Sequence, residues 1–275
     1  MKELVAELGA IACDAGRLIA RIRADGVEVM AKGDGSPVTI ADARAEELIL
    51  ERLAKSYPGI AVVAEELSST GGIPDGVSGR FFLVDPLDGT KEFIKGSPDY
   101  TVNIALIEAG VPVAGVVVAP GRNEIYSGYT GAARRGTVAE RGAPVDERAI
   151  AVRPLPRSWS AVVSVSHMTP ATEAFLKPLP IGETVSIGSS LKFCLIAAGA
   201  ADIYPRFGRT MQWDTAAGDA VLRAAGGCTL TIDGNVLSYG PRPGELHNRF
   251  ENPFFVAFSG TRARLFGAIG ERADA

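Results

Sequence analysis

Apolar side chains recur every three or four residues over the first 22 positions of the chain, with Glu, Lys and Arg between them. This spacing predicts an amphipathic helix and not a secretory leader. A second helical pattern runs from about Ile40 to Lys55 and ends before the turn-forming residues Tyr57, Pro58 and Gly59. No apolar stretch is long and uninterrupted enough to cross a bilayer.

Short apolar runs of strand length follow the second helix. Residues 60–64 (IAVVA) and 80–84 (RFFLV) have this pattern, and the glycine- and serine-rich segment between them is expected to be a loop. Residues 100–120 predict two strands joined by a tight Glu-Ala-Gly turn, and residues 123–131 continue the meander. The sheet in this part of the chain is therefore expected to be at least partly antiparallel.

The second part of the chain alternates strand-like and helix-like segments. A polar, weakly patterned stretch from about Ala132 to Val152 is interpreted as the joint between two halves, residues 1–150 and 151–275. The order of elements predicts helices layered on two mixed sheets, without a dinucleotide-binding G-x-G-x-x-G unit. The predicted strands lie near 160–166, 201–206, 227–233 and 252–260, and the predicted helices near 189–200 and 214–226.

Composition narrows the function classes. The net charge of −4 and the pI near 5.4 argue against a surface that coats nucleic acid. Three widely spaced cysteines favour reduced thiols and a cytoplasmic location; peripheral association with the inner face of the cell membrane stays open. Only two histidines occur, His167 and His247, which excludes a histidine-rich zinc centre and points to oxygen ligands with Mg²⁺ or Mn²⁺. Composition does not distinguish a monomer from a homodimer.

The segment VDPLDGT, residues 84–90, carries two acids directly after an apolar run. Pro86 fixes its own φ and lacks an N–H group, so the chain is expected to turn where the strand ends. Asp85 and Asp88 can then point into one space, with the Leu87 carbonyl between them. Such a turn could hold metal ions.

The same segment ends on Gly89 and Thr90 at the start of a predicted helix. Glycine lets the backbone approach a ligand closely, the amides of a helix start attract anions, and the threonine adds a hydroxyl group. A capped strand-to-helix turn without any ligand explains the hexapeptide equally well.

Acids elsewhere in the chain bear on that choice. Glu65 and Glu66 end another apolar strand, where packing does not account for them, whereas Asp42 and Asp214 open helices and could be simple N-caps. Two carboxylates about 4 Å apart repel by about 4 kcal/mol at an effective dielectric of about 20. If these acids gather, divalent cations must therefore lie among them, but spacing alone does not show that they gather.

Four segments together resemble the inositol monophosphatase superfamily of metal-dependent phosphatases. They are SPVTIAD (36–42), VVAEE (62–66), VDPLDGTKEF (84–93) and WDTAAGDAVLRAAGG (213–227), in this order. One departure is Ala64, where many members of the superfamily have glycine, and it removes no ligand. The resemblance implies a five-layer α-β-α-β-α sandwich with the site between its halves.

The resemblance also implies a ligand set. Glu65, Asp85 and the Leu87 carbonyl would hold one Mg²⁺, and Asp85, Asp88 and Asp214 would hold a second. A third, weaker ion near Glu65 is left open, and Mn²⁺ is an alternative metal. Metals about 3.5–4 Å apart activate a water and neutralise the attacking and leaving oxygens of an in-line displacement.

The implied chemistry uses neighbouring residues of the same turn. Thr90, assisted by Asp42, would orient the attacking water beside Glu65, and Gly89 and Thr90 would hold the phosphate. The haloacid dehalogenase phosphatases also use an Asp-rich turn, but they need acids two residues apart for a covalent aspartyl phosphate. Asp85 and Asp88 are three apart, which excludes that mechanism.

His167, Ser189, Lys192 and Arg206 narrow the resemblance to the 3′(2′),5′-bisphosphate nucleotidase branch of bacterial type. Residues at these positions face the nucleotide and its second phosphate in that branch, which converts adenosine 3′,5′-bisphosphate to AMP or acts on the related phosphosulfate. Without that context, Ser189 and Ser190 read as helix caps and the two cations as solvated side chains. The implied substrate-binding set further includes Glu65, Leu87, Asp88, Gly89, Thr90 and Asp214.

Two other functions stay open from the sequence. An inositol monophosphatase, or another sugar-phosphate phosphatase of the same superfamily, would share the metal ligands but would not require Lys192 and Arg206. A non-catalytic protein that binds phosphate or metal would not require Thr90 to orient a water.

Overall fold

The structure is a computed structural model of the 275-residue chain. The residues that it describes are 1–26, 29–31, 37–74, 77–140, 144–164, 169–243 and 249–270. None of the helices within these ranges is long and apolar enough to cross a membrane.

Two amphipathic helices and a short hairpin begin the chain. The apolar stripe predicted over the first 22 residues is buried on α1, and α2 begins with a capping box in which Thr39 and Asp42 exchange hydrogen bonds. Both predicted helices are confirmed. The elements are α1 (Lys2–Asp25), β1 (Val29–Ala31), β2 (Pro37–Thr39) and α2 (Ile40–Ser56), and β1 pairs antiparallel with β2.

A seven-stranded sheet follows, in the order β3-β4-β5-β6-β7-β8-β9. Strands β3 and β4 are parallel and every later neighbouring pair is antiparallel, which confirms the predicted meander. The elements are β3 (Ala61–Ala64), α3 (Glu65–Ser69), β4 (Arg80–Asp88), α4 (Thr90–Ile94), β5 (Thr101–Glu108), β6 (Val111–Ala119), a 3₁₀ turn (Pro120–Arg122), β7 (Glu124–Tyr129), β8 (Ala132–Thr137) and β9 (Val145–Ala149).

The stretch from about Ala132 to Val152, interpreted from its weak pattern as the joint between two halves, contains regular structure. Most of this stretch forms β8 and β9 at the edge of the seven-stranded sheet. Their residues are largely polar because an edge strand is solvated, and every residue of β9 is exposed. These residues are therefore held as strands by backbone pairing, β8 with β7 and β9 with β8. The chain crosses to the next sheet between residues 149 and 159.

The second part of the chain builds a five-stranded sheet in the order β11-β10-β12-β14-β13, with β10 parallel to both of its neighbours and β14 antiparallel to both of its own. Sequence patterns did not predict β11, α5 and α8. The elements are β10 (Trp159–Ser164), α5 (Pro170–Leu176), β11 (Ile181–Ile187), α6 (Leu191–Ala197), β12 (Ile203–Arg206), α7 (Gln212–Ala224), β13 (Cys228–Thr231), β14 (Phe255–Phe258) and α8 (Arg262–Gly270).

The helices and sheets form five layers, and three apolar clusters hold these layers together. This confirms the expected α-β-α-β-α arrangement. Helices α1 and α2 cover one face of the seven-stranded sheet, and α6 and α7 lie between the two sheets. The third cluster lies on the outer face of the five-stranded sheet and includes α5 and α8 residues. Strand β14 shows the alternation: Phe255 faces the central cluster and Val256 faces the outer one.

Helix α7 approaches the seven-stranded sheet very closely. A Cβ atom added to Gly115 on β6 would lie 2.6 Å from Ala217 O, and one added to Gly128 on β7 would lie 2.6 Å from Val221 Cα. Glycine at these two positions therefore permits the contact. This packing brings the first turn of α7 to the edge where β3 and β4 end.

Candidate active site

The ends of β3 and β4 place two acids side by side. Ala64 pairs with Val84 in a parallel register, so Glu65, the first residue of α3, lies beside Asp85, which is still part of β4. Asp85 is buried, and its Oδ1 accepts a hydrogen bond of 3.0 Å from the Leu87 amide. The expectation that the strand ends and turns at Pro86 is wrong, because β4 continues through this proline to Asp88. The register between β4 and β5 shifts between Asp85 and Asp88, which redirects the second acid of the turn.

Asp214 reaches the same space from α7. Its Oδ2 accepts a 2.8 Å hydrogen bond from the amide of Met211, the N-cap residue, so Asp214 is the third residue of the capping box and not the N-cap that the sequence suggested. Carboxylate oxygens of Glu65, Asp85 and Asp214 all lie within 4.8 Å of one another. Three of the four acids that the resemblance implies as metal ligands therefore lie together, and one of them, Asp214, also takes part in capping α7.

Side-chain amides fix the start of α7. Gln212 donates to the Gly240 carbonyl at 2.8 Å and accepts from the Gly240 amide at 2.7 Å. Asn252 Nδ2 donates to the Met211 carbonyl at 2.8 Å and lies 3.1 Å from Thr215 Oγ1. Sequence reasoning did not single out Gln212 or Asn252, because their partners are distant in sequence and the bonds become visible only in the fold.

The electrostatics of the cluster favour cations. Burial raises the pKa of Asp85 and of Asp214 well above the usual range, and the neighbouring carboxylates raise them further. Burial likewise raises the pKa of Asp88 to about 6, partly opposed by Lys192. We call Glu65, Asp85, Asp88 and Asp214 the acidic wall. An all-oxygen donor set under mutual repulsion suits Mg²⁺ or Mn²⁺.

The Leu87 carbonyl and Thr90 lie beside this wall. Thr90 Oγ1 is 3.2 Å from Asp42 Oδ1 and 3.2 Å from Leu87 O. Asp42 Oδ2 in turn accepts from both the amide and the hydroxyl of Thr39 at 2.7 Å. One oxygen of Asp42 therefore caps α2 and the other holds Thr90, which links α2 to the acidic turn.

Gly89 adopts a left-handed conformation with φ of 89° between β4 and α4. A Cβ atom at this position would lie 3.0 Å from Asp99 O. Both the backbone conformation and the space therefore require glycine, and the close turn brings the Thr90 backbone to the cleft.

The same cleft also carries cations. Lys192 and Arg206 are only 6% and 8% exposed, so the interpretation of them as solvated side chains is wrong. Lys192 Nζ donates to the Ser189 carbonyl and lies 5.2 Å from the centre of the Tyr204 ring. Burial lowers the pKa of Lys192 to about 8, and Arg206 lowers it further while Asp88 opposes the shift. We call Lys192 and Arg206 the basic wall.

The two serines before α6 do not act as caps. Ser190 Oγ lies 3.1 Å from Asp88 Oδ2 and 2.8 Å from the Asp214 carbonyl, joining two elements of the acidic wall. Ser189 has a left-handed φ of 52°. Within the described ranges, Ser189 Oγ and Arg206 Nε are buried without a hydrogen-bond partner. A ligand in the cleft could satisfy both.

Both walls line one cleft of about 290 Å³. The predicted residues Glu65, Asp85, Leu87, Asp88, Gly89, Thr90, Ser189, Lys192, Arg206 and Asp214 all line it, and His167 lies outside the described residues. Other lining residues that sequence reasoning missed are Lys91, Glu92, Ser164, Tyr204, Arg209 and Thr210. Arg209 and Thr210 directly precede the helix of Asp214, and for these two residues that proximity is the signal that could have indicated them.

Comparison with known proteins agrees with this geometry. The 3′(2′),5′-bisphosphate nucleotidase CysQ of Escherichia coli strain K12 is 44% identical over 229 residues, which are 83% of this chain and 88% of that protein. A histidinol-phosphatase of Mycobacterium tuberculosis is 35% identical over 209 residues, which are 74% of this chain and 77% of that protein.

A solved structure of another CysQ protein also resembles this chain. The crystal structure of CysQ from Bacteroides thetaiotaomicron, a bacterial member of the inositol monophosphatase family, matches with a TM-score of 0.74 at 34% identity and covers 92% of this chain and 96% of that one. A model of the inositol monophosphatase family matches residues 1–257. The family model covers most of the chain, and the fold brings Glu65, Asp85 and Asp214 together at one edge of the first sheet. The chain therefore belongs to the inositol monophosphatase family.

Proposed function

We propose that this protein is a Mg²⁺-dependent phosphomonoesterase that removes the 3′-phosphate of adenosine 3′,5′-bisphosphate to give AMP. One observation carries the proposal: a single cleft joins a wall of four carboxylates to a wall of two buried cations. The first wall suits metal ions, and the second suits an anionic group that is not cleaved. The nucleotidases among its relatives support the same substrate class.

The acidic wall and the Leu87 carbonyl would hold the metal ions. Divalent cations, when bound, lower the pKa of water and neutralise charge on the phosphate oxygens. The partition of ligands between two ions, and a third ion near Glu65, stay predictions. Asp88 and Asp214 share the hydroxyl of Ser190, which fixes the turn relative to α7.

Thr90 orients the attacking water in this mechanism. Asp42 Oδ1 lies where it accepts the Thr90 hydroxyl proton, so a lone pair of Thr90 Oγ1 is left to accept a hydrogen bond from water. That bond turns a lone pair of the water toward the phosphorus atom on the side of Glu65. The Gly89–Thr90 backbone would contact the phosphate in this mechanism, and in-line attack needs no phosphoenzyme.

The basic wall recognises the phosphate that stays on the nucleotide. Lys192 supplies an ammonium group, and Ser189 Oγ and Arg206 Nε supply donors that the protein itself does not satisfy within the described ranges. The phosphosulfate analogue carries an anionic group at the same place and is the second substrate of the proposal. The three cysteines are unpaired, which supports action in a reducing cytoplasm.

Phosphate release tests this proposal. The purified protein is assayed with adenosine 3′,5′-bisphosphate, its phosphosulfate analogue, inositol monophosphate and fructose bisphosphate, each with Mg²⁺ and each after thorough chelation. We expect turnover of the two nucleotides that chelation abolishes and Mg²⁺ restores. Undiminished turnover without metal would contradict the mechanism, and faster hydrolysis of inositol monophosphate would move the substrate assignment to the sugar phosphates. No release from any ester would favour a non-catalytic binding protein.

A further inference from the structure

Helix α2 carries two buried carboxylates one turn apart. Asp42 and Glu46 are 2% and 6% exposed, and their spacing of four residues puts them on the same face of the helix. Asp42 contacts Thr90, as described above. Glu46, which the sequence did not single out, accepts hydrogen bonds of 2.8 Å from the amides of Glu66 and Leu67.

These two amides belong to the first turn of α3, which begins with Glu65. The first amides of a helix have no partner within the helix, and Ala64, which precedes α3, has no side chain that could accept from them. Glu46 therefore supplies the cap from another element. Its negative charge at the positive end of α3 further favours this arrangement.

We propose that Glu46 is a positioning residue that fixes the direction in which Glu65 enters the acidic wall. It contacts neither substrate nor metal and acts through the backbone of α3. Together with Asp42 it ties two separate parts of the site, α3 and Thr90, to one rigid helix. The inference rests on the proposed function in one respect, namely that Glu65 is a metal ligand.

The test compares Glu46→Gln with Glu47→Gln in the full chain. Glutamine at 46 keeps one acceptor but turns an N–H group toward a backbone N–H. Glu47 is the neighbouring acid on α2 and is exposed. Within the described residues its one ion pair is with Arg44, so Glu47→Gln is a matched control. The measured quantity is the Mg²⁺ affinity of the substrate-free protein, by calorimetry and by the midpoint of the metal-induced rise in Tm.

We expect Mg²⁺ to bind about 10-fold more weakly to Glu46→Gln, the size of effect seen when a partner that orients a metal ligand is lost. Glu47→Gln should bind as the wild type does, and Glu46→Asp, which keeps the charge on a shorter side chain, should lie between. If Glu46→Gln does not fold, Glu46→Asp decides by the same measurement.

A lower Tm with unchanged Mg²⁺ affinity would overturn the positioning role, because a merely structural contact predicts that result. Mg²⁺ binding by the wild type distinguishes a failure of the metal mechanism from a failure of the role of Glu46. A wild-type chain that binds no Mg²⁺ would overturn both the metal mechanism and this role, whereas equal binding by wild type and Glu46→Gln would overturn only the role of Glu46.

Discussion

The acidic wall and the basic wall line one cleft but carry charges of opposite sign. The acidic wall gathers like charges, and burial together with mutual repulsion raises the pKa values of its aspartates. The basic wall places two cations in the interior, and burial lowers the pKa of Lys192. Burial disfavours the charged form of the side chains in both walls, and Lys192 and Asp88 partly offset this for each other. This difference supports the proposal that metal binding and substrate recognition are carried by different residues, so substitutions in the two walls should have different effects.

The largest effect is expected at the acidic wall. Asp88→Asn keeps an oxygen that can accept from Ser190 but removes a charge, so the fold should persist while metal-dependent catalysis fails. A loss of several kcal/mol of transition-state stabilisation corresponds to at least about 1,000-fold in kcat. Steady-state kinetics with adenosine 3′,5′-bisphosphate, alongside circular dichroism, measures both. Near-normal kcat would mean that Asp88 is only a turn residue.

A smaller and more selective effect is expected at the basic wall. Lys192→Met keeps the length of the side chain and removes its charge, and a charge-assisted hydrogen bond is worth about 1.5–3 kcal/mol. We expect kcat/KM to fall by about 10- to 100-fold on adenosine 3′,5′-bisphosphate and by little on adenosine 3′-monophosphate.

The two substrates provide an internal control for that variant. A fold defect would depress both rates together, whereas a lost phosphate contact depresses only one. Lys95→Ala, at an exposed lysine at the end of α4, should change neither rate. Equal losses of Lys192→Met on both substrates would remove the main support for the nucleotide assignment.

The pH dependence of the preference for the bisphosphate over the monophosphate tests the role of Lys192 further. The pKa of Lys192 is lowered to about 8, so the side chain is charged below this pH and neutral above it. Because an anion binds the charged form, kcat/KM for the bisphosphate relative to the monophosphate should fall as pH rises through 8, by about 10-fold near pH 9. Lys192→Arg stays protonated and should flatten the profile. A wild-type ratio independent of pH from 7 to 9.5 would contradict this assignment.

The smallest effect concerns stability. Burial and the neighbouring carboxylates raise the pKa of Asp214 in the folded state, so the metal-free protein loses stability as pH rises from the pKa of an unfolded aspartate toward the raised pKa. In chelator at pH 7.5, Asp214→Asn should therefore raise Tm, by about 2–4 °C for each kcal/mol gained in a chain of this size. The amide oxygen can still accept from Met211. Mg²⁺ should then raise the Tm of the variant less than that of the wild type, and a lower Tm in chelator would show that Asp214 is mainly a cap.

Local sequence predicted the parts of the site that one segment contains. Asp85, Asp88, Gly89 and Thr90 lie in one short segment, and the left-handed conformation of Gly89 between β4 and α4 is one that glycine adopts readily. The layered fold also followed from the hydrophobic pattern. The gathering of Asp214 with Glu65 did not follow from spacing, because it depends on the packing of α7 across the first sheet.

Features supported by long-range backbone contacts escaped sequence reasoning. Polar residues at 145–149 form an edge strand because β8 offers them hydrogen bonds, and their pattern alone does not show this. Glu46 resembles any acid on an exposed helix face until α3 is folded against it. The division of the chain into residues 1–150 and 151–275 remains a prediction, since α7 and the sheet of the first half share one apolar cluster.

The position of α7 has a consequence for synthesis of the chain. A ribosome completes β9 at residue 149 well before it adds residue 212, so the nascent sheet emerges with the face around Gly115 and Gly128 still uncovered. Apolar surface of this kind binds chaperones or aggregates while it waits. A chain interrupted before α7 would lack both Asp214 and this cover. We therefore expect interrupted products to be degraded or insoluble rather than to accumulate as metal-binding fragments.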